Sequence, residues 1–331
     1  MKIHVFLPDD YVLGYFIPPE NQKKLEALGQ VTYNKTGAQY TEDMVSGLLE
    51  DTDVAVLGWG SPKISAANLP ESSPLKLIVH MGGSVAPYVA PEIFARGIRV
   101  VTANELFAEG VAEGALSYML AGLRRIPYWN SEVQNGRWRT DDYFTQTLYE
   151  ATVGISGYGA ISKYVVKLLQ PFRAKIKIFS NHLTDEDCAK LGVQKAGLME
   201  LAETCRVISI HNSLTPSTVG LINREFLQKI QPNAVFVNTS RGQIIDEGAL
   251  ADELATGRFT AVLDVFEKEP LDINSRLRGL DNVMLIPHLA GPASASFSYC
   301  GAKLIDEITE FYAGRPLKYE IAAAAAARMT Q

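Results

Sequence analysis

The chain has 331 residues, of which 47% are hydrophobic and 21% are charged. This length predicts two domains, and this composition is typical of a folded globular protein, which excludes intrinsic disorder and collagen-like repeats. The 31 basic and 37 acidic residues leave a net charge of −6, which argues against non-specific nucleic-acid binding and favours small-molecule chemistry.

Three cysteines are present without a Cys-x-x-Cys pair: Cys188, Cys205 and Cys300. Their spacing disfavours a disulfide framework or a zinc ribbon, so we expect no metal site. Free cysteines are consistent with the reducing environment of the cytoplasm. The N-terminal apolar run is too short for a signal peptide, and no apolar stretch approaches the roughly 20 residues that a membrane helix needs. We therefore expect a cytoplasmic protein without a membrane partner.

Short β-rich runs alternate with helical patterns over the first hundred residues. The predicted strands there are residues 3–7, 54–57, 76–80 and 99–102, and helical patterns include residues 21–28 and 41–50. This alternation predicts a parallel sheet covered by helices on both faces. Residues 104–125 follow as a long helix rich in Ala, Leu and Gly, whose small side chains suit close packing within the chain or across a dimer.

A second series of strands begins at residue 152. Its buried-strand candidates follow one another at intervals of about 20 to 30 residues, the size of βα units, at 152–156, 175–179, 207–210, 234–238, 261–264 and 283–286. Such a block matches the doubly wound dinucleotide-binding fold. A last helix near 296–313 leads to an alanine-rich tail, expected as a short helix or as disordered chain. No Pro/Ser-rich linker is present, so we place the domain boundaries in ordered structure, near residues 103 and 291.

A glycine-rich loop follows the first strand of this second series and opens a helix. It reads Gly157-Tyr158-Gly159-Ala160-Ile161-Ser162. Gly157 permits the tight turn, and Gly159 lets the backbone approach a pyrophosphate. The amides of Ala160 and Ile161 lie at a helix N-terminus, which attracts phosphate. Ser162 is a mild replacement for the third glycine of the motif, and the strand–loop–helix context favours a cofactor loop over a plain turn.

The tip of the next strand bears on the choice of cofactor. In NAD-specific folds a carboxylate about 20 residues beyond the glycine loop binds the adenosine ribose, but here Ser180, Asn181 and His182 stand at that place. A ribose 2′-phosphate would not be repelled, and Ser180 and Asn181 could hydrogen-bond it, with Lys175, Lys177 or His182 adding charge. The sequence therefore predicts NAD(P) binding, with NADP or dual use favoured.

Polar residues follow three successive strands of the same series. Arg241 comes after residues 234–237, and Glu269 and His288 come after the next two strands. Reduction of a 2-oxo acid needs a proton donor, a role that suits His288, and Glu269 could orient its ring and stabilise the imidazolium. Arg241 offers a planar cation for the carboxylate or carbonyl oxygen. His288 alone could be structural, but the three together favour catalysis.

Five segments carry a family resemblance: residues 157–161 (GYGAI), 211–216 (HNSLTP), 238–247 (NTSRGQIIDE), 263–270 (LDVFEKEP) and 287–291 (PHLAG). In this order the chain resembles, over nearly its whole length, the D-isomer-specific 2-hydroxyacid dehydrogenases. These are NAD(P)-dependent enzymes such as glyoxylate/hydroxypyruvate reductase and phosphoglycerate dehydrogenase.

The resemblance implies a fold and an activity. The expected fold class is α/β, with two Rossmann-like doubly wound parallel-sheet domains and the active site in the cleft between them. Residues 1–103 and 292–331 would form the substrate-binding domain, residues 104–291 would form the dinucleotide-binding domain, and the helix after residue 103 would belong to a homodimer interface. The implied reaction interconverts a 2-oxo acid and a D-2-hydroxy acid by hydride transfer, with His288 as the acid/base.

The resemblance also implies residue roles. Arg241 would bind the substrate carboxylate and carbonyl, and Glu269 would pair with His288. The residues assigned to the cofactor are Gly157, Tyr158, Gly159, Ala160, Ile161, Ser180, Asn181, Thr215, Thr239, Ser240, Arg241, Asp264, His288 and Gly291. Those assigned to the substrate are Gly83, Ser84, Arg241 and His288.

The chain departs from the family pattern at the substrate loop, which reads His80-Met-Gly-Gly-Ser-Val-Ala-Pro. Gly83 and Ser84 match the positions whose amides bind carboxylate in relatives, but Ala86 replaces an aspartate, and a plain turn is the alternative. Ala160 stands where relatives commonly carry arginine. Trp138 could fold over the cleft of its own chain or of a partner, or it could pack on the surface.

Two other functions stay open. The protein could act on a substrate such as formate or phosphite, or it could be a nucleotide-sensing binding protein.

Overall fold

The computed structural model of the protein describes residues 1–8, 11–291 and 293–330. The described residues form two compact units. The first unit is Met1–Phe107 together with the residues from 293 onwards, and the second unit is Ala108–Gly291. No helix in the described ranges is long and apolar enough to cross a membrane.

The first unit contains a five-stranded parallel sheet in the order β2-β1-β3-β4-β5. Its strands are β1 (Lys2–Pro8), β2 (Gln30–Asn34), β3 (Val54–Leu57), β4 (Leu77–His80) and β5 (Arg99–Thr102). Its helices are α1 (Tyr11–Phe16), α2 (Pro19–Glu26), α3 (Val45–Leu49), α4 (Pro91–Ala95), α12 (Phe297–Tyr312) and α13 (Ala323–Ala326). The strands β3 and β4 are fully buried, which explains why their residues are apolar except for His80.

Strand β2 is absent from the prediction because its side chains alternate between exposed and half-buried positions, as suits the edge of a sheet. On the opposite edge, residues 319–321 run antiparallel beside β5. The amide of Thr102 donates to the carbonyl of Tyr319 at 3.1 Å, and the amide of Ile321 donates to that of Val100 at 2.9 Å. The C-terminal segment thus completes the first unit.

The second unit contains a seven-stranded parallel sheet in the order β12-β11-β10-β9-β6-β7-β8. Its strands are β6 (Thr152–Ser156), β7 (Lys175–Phe179), β8 (Gln194–Lys195), β9 (Val207–Ile210), β10 (Val235–Asn238), β11 (Thr260–Leu263) and β12 (Val283–Leu285). Its helices are α6 (Ile126–Gln134), α7 (Ala160–Leu169), α8 (Asp185–Leu191), α9 (Leu198–Thr204), α10 (Arg224–Lys229) and α11 (Glu247–Ala255), and α5 (Asn104–Arg124) begins in the first unit.

The strand order of the second sheet reverses direction at β6, whose neighbours are β7 and β9. Open α/β sheets bind ligands outside the carboxyl ends of the strands at such a reversal. The glycine loop follows β6 directly, so it lies at this point of the sheet. The predicted α/β class with two parallel sheets is confirmed.

Candidate active site

The glycine loop is shaped by contacts that exclude a side chain at its first glycine. Gly157 has a φ of +93°, and a Cβ atom there would lie 2.8 Å from the backbone nitrogen of Asn212. The amide of Gly157 donates to the carbonyl of Phe179 at 2.8 Å. Gly159, by contrast, has open space where its Cβ would be. The loop is therefore anchored at one glycine and open at the other.

Ser162 performs a different task from the glycine that it replaces. Its side chain is fully buried in α7, and its hydroxyl donates to the carbonyl of Gly157 at 2.9 Å. Ala160 and Ile161 are the first two residues of α7, where backbone amides have no partner within a helix. Tyr158 is half-buried, and this burial raises the pKa of its hydroxyl.

The tip of β7 is polar but carries no lysine. Ser180 is buried and accepts a hydrogen bond from the amide of His182 at 3.2 Å, whereas Asn181 is exposed. The ammonium group of Lys177 binds Glu200 at 2.6 Å. Lys175 pairs with Thr152, at the opposite end of the strand. The expectation that these two lysines add charge beside Ser180 is therefore wrong.

Hydroxyl groups hold the loops after β9 and β10. Ser156 donates to the side-chain oxygen of Asn212 at 2.7 Å, and Ser240 donates to the carbonyl of the same asparagine. The amide of Thr215 donates to the hydroxyl of a threonine three residues later at 2.8 Å. Thr239 is buried, and its hydroxyl has no hydrogen-bond partner among the residues described.

A tight turn presents Arg241. The side chain of Asn238 accepts from the amide of Ser240 at 3.0 Å and donates to the carbonyl of Arg241 at 3.1 Å. The next residue, Gly242, packs so closely that a Cβ atom would lie 1.8 Å from the carbonyl carbon of Phe266. Arg241 is half-buried, and its guanidinium donates to the carbonyl of Ser240 at 2.6 Å.

His288 and Glu269 form a pair. The Nδ1 atom of His288 lies 2.7 Å from Oε2 of Glu269, whose other oxygen accepts from the amide of Phe266 at 3.1 Å. His288 adopts a φ of +55°, and its amide donates to the carbonyl of Asp264 at 2.8 Å. The side chain of His288 is 47% exposed, so Nε2 is the ring nitrogen left to meet a ligand.

Asp264 holds the loop that carries His288. This buried carboxylate accepts from the amide of Leu289 at 2.7 Å and from the amide of Ala290 at 3.1 Å. The hydroxyl of Tyr118 in α5 also donates to it at 3.2 Å, and burial together with this negative charge raises the pKa of Tyr118. Sequence reasoning did not find Tyr118, because nothing in the apolar sequence of α5 distinguishes it. Gly291 follows this loop directly.

A cavity of about 510 Å³ adjoins the pair. Glu269 and His288 line it together with apolar side chains such as Phe266, Leu271 and Leu285.

His211, unlike His288, is structural. Its Nε2 lies 2.9 Å from the hydroxyl of a serine in β9, and burial lowers the pKa of His211 to about 4.

The candidate substrate loop lies in the first unit, after β4. The hydroxyl of Thr102 is 2.7 Å from the carbonyl of Gly82 and 2.5 Å from that of Gly83. Because the amide of a planar trans peptide points away from its carbonyl, the amides of Gly83 and Ser84 point away from Thr102. The hydroxyl of Ser84 donates to the carbonyl of Thr330 at 2.5 Å.

Comparison with known proteins agrees with these features. Residues 116–290 match the family model for the D-isomer specific 2-hydroxyacid dehydrogenase, NAD binding domain. The chain is 30% identical over 299 residues to D-3-phosphoglycerate dehydrogenase of Synechocystis sp., covering 90% of this chain and 54% of the relative. It is 31% identical over 252 residues to human glyoxylate reductase/hydroxypyruvate reductase, covering 75% of this chain and 77% of the relative.

The chain thus spans about half the length of the phosphoglycerate dehydrogenases that it matches. Among solved structures, a phosphoglycerate oxidoreductase from Rhizobium etli superposes with a TM-score of 0.80 at 23% identity, covering 97% of this chain and 99% of that one. That likeness shows a shared fold. From the matched domain and the human relative, we conclude that the chain belongs to the D-isomer specific 2-hydroxyacid dehydrogenase family.

Proposed function

We propose that the protein is an NAD(P)-dependent oxidoreductase that interconverts a 2-oxo acid and a D-2-hydroxy acid. The observation that carries this proposal is the 2.7 Å contact between His288 and Glu269 in the unit that also holds the glycine loop and Arg241. A histidine with one ring nitrogen fixed by a carboxylate and the other free suits proton transfer.

The second unit fits a dinucleotide at three places. Gly159 leaves open space where a pyrophosphate would approach, and the amides of Ala160 and Ile161 lie at a helix N-terminus beside it. The buried hydroxyl of Thr239 lacks a partner among the described residues. The nicotinamide cofactor, when bound, supplies or accepts the hydride. We assign Asp264 a positioning role, because its oxygens are occupied by the amides of the His288 loop.

The roles of the polar residues follow from their charges and their hydrogen-bonding groups. Arg241 is a permanent cation with a planar fork of donors, which suits the carboxylate or carbonyl of the substrate. His288 gives a proton from Nε2 to the developing alkoxide or removes one from the hydroxyl in the reverse direction. Glu269 holds the ring through Nδ1. Gly83 and Ser84 would offer backbone amides to the substrate carboxylate.

We infer NADP or dual cofactor use from the tip of β7. Ser180 and Asn181 place a hydroxyl and an amide where an NAD-specific fold places a carboxylate. The KM values of NADH and NADPH, measured with one 2-oxo acid, test this inference. We expect NADPH to be used at least as well as NADH, and a clear NADH preference would contradict it.

We also infer a homodimer. Large apolar side chains are exposed in and after α6, among them Ile126 (55%), Val133 (52%) and Trp138 (74%). A cluster of this kind is typical of a protein–protein interface. Light scattering during size-exclusion chromatography measures the mass directly, and a monomer of 36.3 kDa would contradict the inference. The cytoplasmic location and the substrate-binding role of the first unit stay predictions.

The activity is tested by following absorbance at 340 nm with NADH and NADPH against a panel of 2-oxo acids. The panel begins with glyoxylate, hydroxypyruvate, pyruvate and phenylpyruvate. We expect oxidation of at least one cofactor by at least one acid. Tight cofactor binding without turnover of any member would contradict the proposal and favour a nucleotide-sensing binding protein.

A further inference from the structure

The alanine-rich tail, defined here as residues 321–330, packs on the first unit. Ile321 begins it beside β5, where its amide donates to the carbonyl of Val100 at 2.9 Å. The four residues of α13 follow, and they contact α4. A helix of this length is unstable in isolation even when it is built from alanine, so its order here comes from packing. Of the two states expected for the tail, the structure has the short helix.

Apolar side chains join the tail to the core that also holds the candidate substrate loop. Ala326 is 5% exposed and belongs to the same buried cluster as Val85 and Ile93. Met329 is partly buried and packs against this cluster. Val85 directly follows Ser84 in the loop, so the tail and the loop share one core.

The tail also reaches the loop itself. The hydroxyl of Ser84 donates to the carbonyl of Thr330 at 2.5 Å, across 246 positions of the sequence. On the preceding residue, the carbonyl of Gly83 accepts from the hydroxyl of Thr102 in β5 at 2.5 Å. Gly83 and Ser84 are therefore each held by a hydrogen bond to a segment outside the loop.

These two hydrogen bonds act on the pair of residues assigned to the substrate carboxylate. A fixed carbonyl on Gly83 sets the plane of the peptide that contains the amide of Ser84. A fixed hydroxyl on Ser84 selects one rotamer and ties that residue to the tail. Neither hydrogen bond occupies an amide. A loop that binds a ligand through backbone amides gains from both, because groups that are ordered before binding lose less entropy on binding.

We infer that the alanine-rich tail positions the candidate substrate loop and that Ser84 is the positioning residue through which it acts. This inference rests on the proposed function, in which the loop binds the carboxylate of a 2-oxo acid. Release of the tail then weakens substrate binding, while proton transfer at His288 and the cofactor loop are unchanged. The expected signature is a higher KM at constant kcat and constant cofactor Kd.

Two variants break the contact from opposite sides. Ser84→Ala removes the hydroxyl, and a chain that ends at Ala327 lacks the carbonyl of Thr330 together with Met329. Each should raise the KM of the most active 2-oxo acid of the panel about fivefold, the effect of one lost hydrogen bond. Ser84→Thr keeps a hydroxyl donor and should stay within about twofold of the wild-type KM.

The combined variant separates one shared contact from two independent ones. Ser84→Ala in the shortened chain should raise the KM no further than the shortening alone, because both changes break the same hydrogen bond. Independent effects would multiply to about 25-fold. That product would overturn the inference, as would an unchanged KM in either single variant.

The matched control is Ser73→Ala. The hydroxyl of Ser73 also donates to a carbonyl, that of Leu49, at 2.6 Å in the first unit, but it lies outside the loop and the tail. Its removal should leave the KM unchanged. A rise equal to that in Ser84→Ala would overturn the inference, because it would show that any such hydrogen bond of the first unit affects the KM.

Hydrogen–deuterium exchange of residues 80–90 gives a readout that needs no turnover. Exchange should be faster in Ser84→Ala and in the shortened chain than in the wild-type protein, because the loop opens more often once the tail is released. Unchanged exchange in both variants would overturn the inference. Faster exchange in a protein that oxidises no reduced cofactor would support the hold of the tail on the loop and contradict only the proposed function.

Discussion

Two glycine-containing loops follow parallel strands, one in each unit, and they are held by different kinds of contact. In the second unit the loop enters α7, and the first amides of that helix are free because an α-helix leaves them unpaired. In the first unit no helix follows directly; the hydroxyl of Thr102 contacts the carbonyls of Gly82 and Gly83, and the amide of Ala103 also donates to that of Gly82 at 3.0 Å. The loop of the second unit is thus continued by a helix, whereas the loop of the first unit is held by contacts from β5 and the residue after it.

The two loops differ in which substitutions would disrupt them. The loop of the second unit depends on the conformation of Gly157 itself, which no other residue adopts without strain. The loop of the first unit depends on a side chain from another strand, β5. Substitutions can therefore test the backbone conformation, the side-chain support and the acid/base chemistry one at a time. They are given in order from the largest expected effect to the smallest.

Replacement of His288 by alanine leaves both loops intact and removes the proton donor. We expect kcat to fall about 10²–10⁴-fold, because a positioned acid/base contributes about that much. The Kd of the cofactor, measured by fluorescence titration, should change little. A kcat within a few-fold of the wild-type value would contradict the role of His288.

Gly157→Ala and Gly159→Ala form a matched pair within the loop of the second unit. At Gly157 the φ of +93° and the backbone of Asn212 both oppose a methyl group, so the free energy of unfolding should fall by roughly 1–3 kcal/mol or more. At Gly159 the methyl group meets open space, so stability should stay within about 0.5 kcal/mol while cofactor affinity falls at least about tenfold. Chemical denaturation and cofactor titration measure the two effects. Equal stability losses in the two variants would contradict this account.

Each loop has a buried neutral histidine beside it, which makes stability depend on pH. Burial lowers the pKa of His80 to about 3 and that of His211 to about 4, below the ordinary value of 6.5. The unfolded chain therefore binds more protons, and stability is lost as the pH falls below 6.5. Each histidine should contribute a loss of about 1.4 kcal/mol per pH unit between pH 6.5 and 5. Guanidinium unfolding curves at pH 7.5, 6.5 and 5 measure it, and a flat profile would show that neither ring is held neutral.

Thr102→Val removes the hydroxyl that orients the loop of the first unit and keeps the shape of the side chain. We expect the KM for 2-oxo acids to rise about fivefold, since a buried hydrogen bond of this kind contributes on the order of 1 kcal/mol, with no change in cofactor Kd. Thr102→Ser should restore the KM, because it keeps the donor. An unchanged KM in Thr102→Val would mean that the loop does not depend on this hydroxyl.

The sequence predicted most strands of the two sheets but missed β2 and β8, which lie at sheet edges. Residues 54–57, 207–210 and 235–238 are apolar except for Ser209 and Asn238, and the structure buries every side chain in them. Strands β2 and β8 place few side chains in the core and carry no apolar run, unlike the edge strands β5 and β12, which were predicted. The local pattern of apolar residues therefore reveals a strand most clearly where the fold buries most of its side chains.

By itself, the sequence determined the α/β class, the position of the glycine loop and the polar residues at the strand ends, because these are encoded by neighbours in the chain. Only the tertiary structure decided that Thr102 orients the loop of the first unit, that Tyr118 supports Asp264 and that Lys177 binds Glu200. It also packed Trp59 against Phe16, Phe107 and Phe297. These contacts join residues far apart in sequence, and their partners depend on how strands and helices pack, which no local pattern records.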